Sequence, residues 1–92
     1  MSLSIRWTNQ FRKDYKKVQK SGLDINKLKD VIKQLSEQTP LPEHYKVHQL
    51  LGNYNGYREC HIQPDWLLIY YVDNENLILV LSRTGTHSDL FG

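Results

Sequence analysis

The stretch Trp66-Leu-Leu-Ile-Tyr-Tyr-Val-Asp73-Asn-Glu-Asn76-Leu-Ile-Leu-Val-Leu-Ser-Arg83 decides the fold. Two apolar runs, 66–72 and 77–83, flank a polar four-residue segment that suits a hairpin turn. The first run is almost wholly apolar, as a central strand would be. Upstream, residues 57–62 form a further strand, ended by Gln63-Pro64-Asp65. Residues 45–51 form a short one, closed by the Gly52-Asn-Tyr-Asn-Gly56 turn. Downstream, Thr84-Gly85-Thr86 breaks the last strand, and 87–91 can make a final helical turn.

The N-terminal third has a different period. Leu3, Ile5 and Trp7 alternate with Ser4, Arg6 and Thr8, the period-2 pattern of a half-buried strand. Thr8 or Asn9 can then cap a helix in which Phe11, Tyr15 and Val18 share a face, and Gly22 ends it. Asp24 caps a second helix carrying the stripe Ile25, Leu28, Val31, Ile32 and Leu35. Thr39-Pro-Leu-Pro42 stops it, because proline disfavours helix at the preceding residue. The pattern predicts an α+β domain spanning 1–92, with two N-terminal helices packed on a twisted antiparallel sheet of four to five strands. The opposite sheet face is then left free to be concave, polar and functional.

Composition narrows the class. A chain of 92 residues has room for one core, and 39% hydrophobic residues suffice to fill it. No run approaches the length needed to span a bilayer. The first five residues lack the layout of a secretion signal, so a cytoplasmic location without membrane contact is expected. One cysteine, Cys60, provides no disulfide framework, and its ordinary reading is a small apolar strand residue. The net charge of +2 is unevenly spread: residues 1–33 carry +6 and the remainder −4. Such asymmetry suggests one face attracted to phosphate.

All four histidines, His44, His48, His61 and His87, lie in the C-terminal half. Imidazole both accepts and donates protons near neutral pH. His61, Asp65, Arg83 and His87 fall at strand ends that a meander can bring to one end of the sheet. Such a cluster suits RNA cleavage: one group removes the ribose 2′-hydroxyl proton, a cation steadies the phosphate, and another group protonates the departing 5′-oxygen. RNA supplies its own nucleophile, so no metal or cofactor is required. A zinc site on His48, His61 and His87 lacks the short ligand spacing typical of such sites. Arg83 alternatively pairs with Asp65 or Asp89, Trp66 alternatively belongs to the core, and His44 has no assigned role. P-loop, GxGxxG and nucleophile-elbow motifs are absent.

The segment His48-Gln-Leu-Leu-Gly-Asn-Tyr-Asn-Gly-Tyr-Arg-Glu-Cys-His61-Ile-Gln-Pro-Asp65-Trp66-Leu-Leu-Ile-Tyr, with Arg83-Thr-Gly-Thr-His87-Ser-Asp-Leu-Phe91-Gly, resembles the YafQ toxins of the RelE/ParE superfamily. Residues 45–92 match in motif and 1–44 in pattern. The resemblance implies a RelE-like fold and a toxin of a type II toxin–antitoxin system. Such a toxin is a ribosome-dependent, metal-independent endoribonuclease that cuts messenger RNA and inhibits translation. It implies a catalytic set of His48, His61, Asp65, Arg83 and His87, with His87 as acid, Arg83 on the phosphate and His48 or His61 as base. Trp66 and Phe91 would position bases, and Arg12, Lys13, Lys16, Lys17 and Lys20 would contact ribosomal RNA. The implied partner is a DinJ-like antitoxin, through which alone the chain would meet operator DNA. A ParE-like gyrase inhibitor and a non-catalytic RNA- or protein-binding module using the basic helices are the competing readings.

Overall fold

A computed structural model describes residues 2–92; Met1, part of the N-terminal reading above, lies outside them. The elements run β1 (Ser4–Trp7), α1 (Asn9–Lys20), α2 (Ile25–Ser36), β2 (His48–Gln49), β3 (Arg58–Gln63), β4 (Trp66–Asp73), β5 (Ile78–Gly85) and α3 (His87–Phe91). Single 3-10 turns, Glu43–Tyr45 and Gly52–Tyr54, flank β2. No helix among the described residues is long and apolar enough to cross a membrane.

Caps decide the helix starts. Thr8 accepts the Phe11 N–H at 3.0 Å, Asp24 accepts that of Asn26 at 3.0 Å, and Thr86 and Asp89 form a reciprocal capping box on α3. The five strands lie in the order β1-β5-β4-β3-β2. The α+β class and the two helices on one sheet face follow the sequence pattern, but the sheet is mixed. β1 pairs parallel to β5, Ser4 opposite Ile78 through Trp7 opposite Leu81, while the other pairings are antiparallel. Alternation identifies a strand without its direction. β1 reaches β5 only through the rest of the chain, so no hairpin constrains the pair to run antiparallel.

The main core lies between the helices and the sheet, where Phe11, Leu28, Val31, Cys60, Trp66, Leu68, Leu79 and Leu81 are buried. Each buried Phe, Leu or Val among them contributes about 1.5–3 kcal/mol of hydrophobic stabilisation. Burial pushes the Cys60 thiol up to about 12, consistent with an inert packing residue. On the opposite face Leu67 and Ile69 are buried beneath Leu90 of α3, with Leu50, Tyr54 and Tyr57 packed around them. The face expected to be open is therefore partly covered. From Trp66 to Tyr70 β4 is buried on both faces, so its sequence does not alternate there.

Two local departures from ideal pairing shape the end of the sheet that carries His61 and Arg83. In β5, Leu81 pairs with Tyr70 while Arg83 pairs with Ile69, leaving Ser82 as an extra residue. Leu79 and Leu81 point to the helices, and simple alternation would send Arg83 after them. The bulge turns Arg83 to the face shared with Ile69, and Thr84 back to the core. In β2, the expected strand 45–51 shrinks to two residues. Lys46 takes a left-handed conformation (φ 49°, ψ 52°) that carries the chain off the ladder before His48. At the other end, β5 continues through Gly85, past the break expected at Thr84.

Candidate active site

Three histidine rings form a row across the open face. The His48 and His61 centroids are 6.2 Å apart and those of His61 and His87 6.0 Å, with Phe91 6.4 Å beyond His87. The row forms because β2–β3 pairing sets His48 opposite Glu59, one alternate position from His61, while α3 starts where β5 ends beside the β3–β4 turn. Tyr54 continues the aromatic surface, 5.9 Å from both Phe91 and Tyr57.

Two carboxylates orient the outer rings. Asp65 accepts from the His87 backbone N–H at 3.0 Å and meets Nδ1 of the same ring at 2.7 Å. The His87 backbone hydrogen bond, then the ring contact, hold the Asp65 carboxyl below its ordinary range. With Nδ1 turned to Asp65, Nε2 is the nitrogen that faces outward. Glu59, only 5% exposed, lies 2.8 Å from His48 Nε2 and 3.7 Å from His61 Nε2. His48 and His87 are half-exposed, with side chains 50% and 53% accessible, whereas His61 between them is 19% accessible.

Arg83 provides the fixed cation. Its Nε donates to Asp14 Oδ2 at 2.7 Å and its Nη2 to Oδ1 at 3.3 Å. The Asp14 bond chiefly, with a smaller share from Tyr54, pushes the guanidinium further up. Asp14 also accepts the Thr84 backbone N–H at 3.2 Å and the Gln10 amide at 3.2 Å. Neither alternative partner expected for Arg83, Asp65 or Asp89, holds it. Asp89 instead binds Lys17 at 2.7 Å, tying α3 to α1.

With this arrangement in view, the sequence matches the family described as bacterial toxin of type II toxin–antitoxin system, YafQ, over residues 3–92. The chain belongs to the YafQ toxin family. It is 46% identical over 89 residues to the mRNA interferase toxin YafQ of Escherichia coli (strain K12), covering 96% of this chain and 95% of that protein. The E. coli DinJ–YafQ toxin–antitoxin complex contains a chain that superposes with a TM-score of 0.90 at 44% identity, covering all of both chains. A metal-bound toxin from Helicobacter pylori gives 0.90 at 40% identity, with 97% of this chain and 99% of that one covered.

The structure thus brings His48, His61, Asp65, Arg83, His87 and Phe91 to one end of one sheet face. Trp66 is a correction. It is 1% exposed, faces the helix-side core and donates its indole N–H to Thr84 Oγ1 at 3.0 Å, so it is inaccessible to a base. Its place at the head of β4 puts it on the face opposite Leu67. Arg12, Lys13, Lys16, Lys17 and Lys20 are exposed along α1, though Lys17 is engaged by Asp89 and Arg12 lies 5.9 Å from the Trp7 ring centroid.

Three site residues escaped the sequence reading: Asp14, Glu59 and Tyr54. A signal existed for two of them. Asp14 is an acid on the same helical stripe as Phe11 and Val18, and Glu59 shares strand parity with His61. The ligand atoms of His48, Glu59 and His61 lie within 4.8 Å of one another, a set able to hold a transition metal. His87, paired to Asp65, stands outside it.

Proposed function

We propose that the chain is the toxin of a type II toxin–antitoxin pair that cleaves messenger RNA on the ribosome by metal-independent acid–base catalysis. The observation that carries this reading is a pair of accessible, carboxylate-oriented imidazoles, Glu59–His48 and Asp65–His87, facing one another across His61. A phosphodiester placed over His61 meets a base on one side and an acid on the other. His48, its Nε2 hydrogen donated to Glu59, keeps a lone pair on Nδ1 to take the 2′-hydroxyl proton. The 2′-oxygen attacks phosphorus, Arg83 and His61 stabilise the charge that develops, and His87 Nε2 protonates the leaving 5′-oxygen. The products are a 2′,3′-cyclic phosphate and a free 5′-hydroxyl. Phe91, half-exposed beside His87 and Tyr54, offers the downstream base a stacking surface.

Exposed Arg12, Lys13, Lys16 and Lys20 on α1 supply a basic surface for ribosomal RNA. The DinJ–YafQ complex of the E. coli relative supports a DinJ-like antitoxin as partner here, with operator DNA reached only through it. Cytoplasmic action follows from a ribosomal target. The metal-bound state of the H. pylori relative and the His48–Glu59–His61 set favour one further reading: a metal there competes for the imidazole nitrogens that catalysis uses.

Cleavage of messenger RNA on programmed ribosomes by the protein and its His87→Ala and Arg83→Ala forms tests this. His87→Ala should lower the rate by about 10²–10⁴-fold, with folding intact. His48→Ala should lower the rate by a similar factor. EDTA, with ribosomal magnesium restored, should leave the rate unchanged. Undiminished toxicity of both variants, or DNA damage in place of messenger loss, overturns the reading in favour of a binding module or a ParE-like gyrase inhibitor.

A further inference from the structure

Beside the histidine row lies a cavity of about 380 Å³, lined by His44, Lys46, His61, Ile62, Gln63 and Pro64. It exists because β2 pairs with β3 only at His48–Glu59 and Gln49–Arg58. Lys46, left-handed, takes the preceding chain out of the ladder: the Glu43–Tyr45 turn still lies against β3, but among the described residues no strand pairs with the outer edge of β3 from Cys60 to Gln63. A second irregularity acts at the same place, for the β3–β4 register shifts between His61 and Gln63. Bulges of this kind re-aim side chains beside functional sites.

We propose that this cavity is a subsite for one nucleotide of the RNA strand, the one bearing the attacking 2′-hydroxyl. This rests on the cleavage reading above and deepens it. Three features point to that ligand. The volume is at the lower end of the range for small-ligand sites, room for one nucleotide. The unpaired β3 edge presents main-chain donors and acceptors to a base edge, the way single-stranded RNA is read, and His44 and Pro64 supply flat walls for its face. Lys46 is exposed and takes part in no ion pair among the described residues, leaving its ammonium for the nucleotide's phosphate. His61 is common to the cavity and the row, which makes the subsite continuous with the reacting phosphate on the His48 side.

Lys46 also gives the test. A lysine at φ 49° is strained where glycine is not, so Lys46→Gly removes the charge while easing the backbone. An uncleavable RNA trinucleotide, 2′-O-methylated throughout, is titrated into isotope-labelled His87→Ala protein and followed by amide NMR. The subsite predicts saturable shifts at Lys46, Ile62 and Gln63. Lys46→Gly should weaken binding about two- to fivefold, the measure of one exposed charge contact. It should also flatten the salt dependence by about 0.7 in log–log slope, as expected for one phosphate contact to a single strand. Thermal stability should be equal or higher. Absence of shifts at those amides, or equal affinity and slope in Lys46→Gly, overturns the subsite, as does occupation of the cavity by antitoxin but not by RNA. These outcomes do not depend on turnover: ribosomal cleavage with a silent cavity removes only the subsite, and a filled cavity without cleavage removes only the reaction.

Discussion

The two edges of the sheet meet the same problem at the functional end and solve it differently. β1 accompanies β5 only as far as Leu81, and β2 accompanies β3 only at Glu59 and Arg58. Past these points each inner strand has an edge without a strand partner. On the β5 side, Asp14 of α1 closes it, accepting the Thr84 N–H and gripping Arg83 with both oxygens. On the β3 side His44 and Lys46 stand off the strand, and a cavity remains between them and residues 61–64. A plugged edge holds a cation rigidly; an unplugged one leaves main chain available to a ligand. Preorganised charge suits transition-state stabilisation, and free backbone edges suit recognition.

Four experiments break or sharpen that contrast. The largest effect is expected from Asp14→Ala, which strips the plug and leaves Arg83 and the Thr84 N–H without their acceptor. It should cost about 3 kcal/mol in chemical denaturation and lower cleavage as Arg83 loses its position. A stability change within about 0.5 kcal/mol, the range of ordinary surface substitutions, would show that the edge needs no plug. Next comes Gly85→Ala, where β5 hands over to α3. Gly85 has φ 152°, and an added Cβ would lie 3.1 Å from the Asp89 Cβ and Oδ2. A loss of about 1–3 kcal/mol is expected, with α3 displaced and the His87 ring signals shifted in NMR spectra.

On the opposite edge, Lys46→Gly should stabilise the fold by up to about 1 kcal/mol, in contrast to Asp14→Ala. A loss of stability there would mean that the Lys46 side chain supports the edge after all. The smallest effect concerns acid. Hydrogen bonds from His87 hold the Asp65 carboxyl low, and Lys17, then Thr86, does the same for Asp89. Carboxyls with lowered folded-state values stabilise the fold at pH above the ordinary carboxylate range, and that contribution fades as pH falls through the lowered values. α3 should therefore stay docked through mildly acidic pH and loosen only below the usual carboxylate range, as read from the Leu90 methyl signals. Undocking at pH 5–6 would contradict the Asp65 and Asp89 contacts.

Much of this was legible before any coordinates. The stripes Phe11–Tyr15–Val18 and Leu28–Val31–Ile32 face the core as their spacing requires, and the 66–83 hairpin is present. The motif positions His48, His61, Asp65, Arg83, His87 and Phe91 do converge. Trp66, given to the site by the resemblance, takes instead the alternative place in the core: it follows Asp65 in sequence, but it heads β4 on the helix-facing side. Strand parity alone would also have placed Arg83 in the core beside Leu81; the Ser82 bulge that redirects it has no glycine or other local mark.

What the sequence by itself determined is whatever period and composition encode locally: two amphipathic helices, the apolar central strand, the basic N-terminal third and the crowding of histidines into the C-terminal half. What only the tertiary structure decided is what depends on partners distant in the chain. Asp14 meets Arg83 across 69 positions, β1 lies parallel to β5, and a left-handed Lys46 opens the edge beside His61. Such pairings are set by how packed elements fall against one another, and no spacing rule along the chain carries that information.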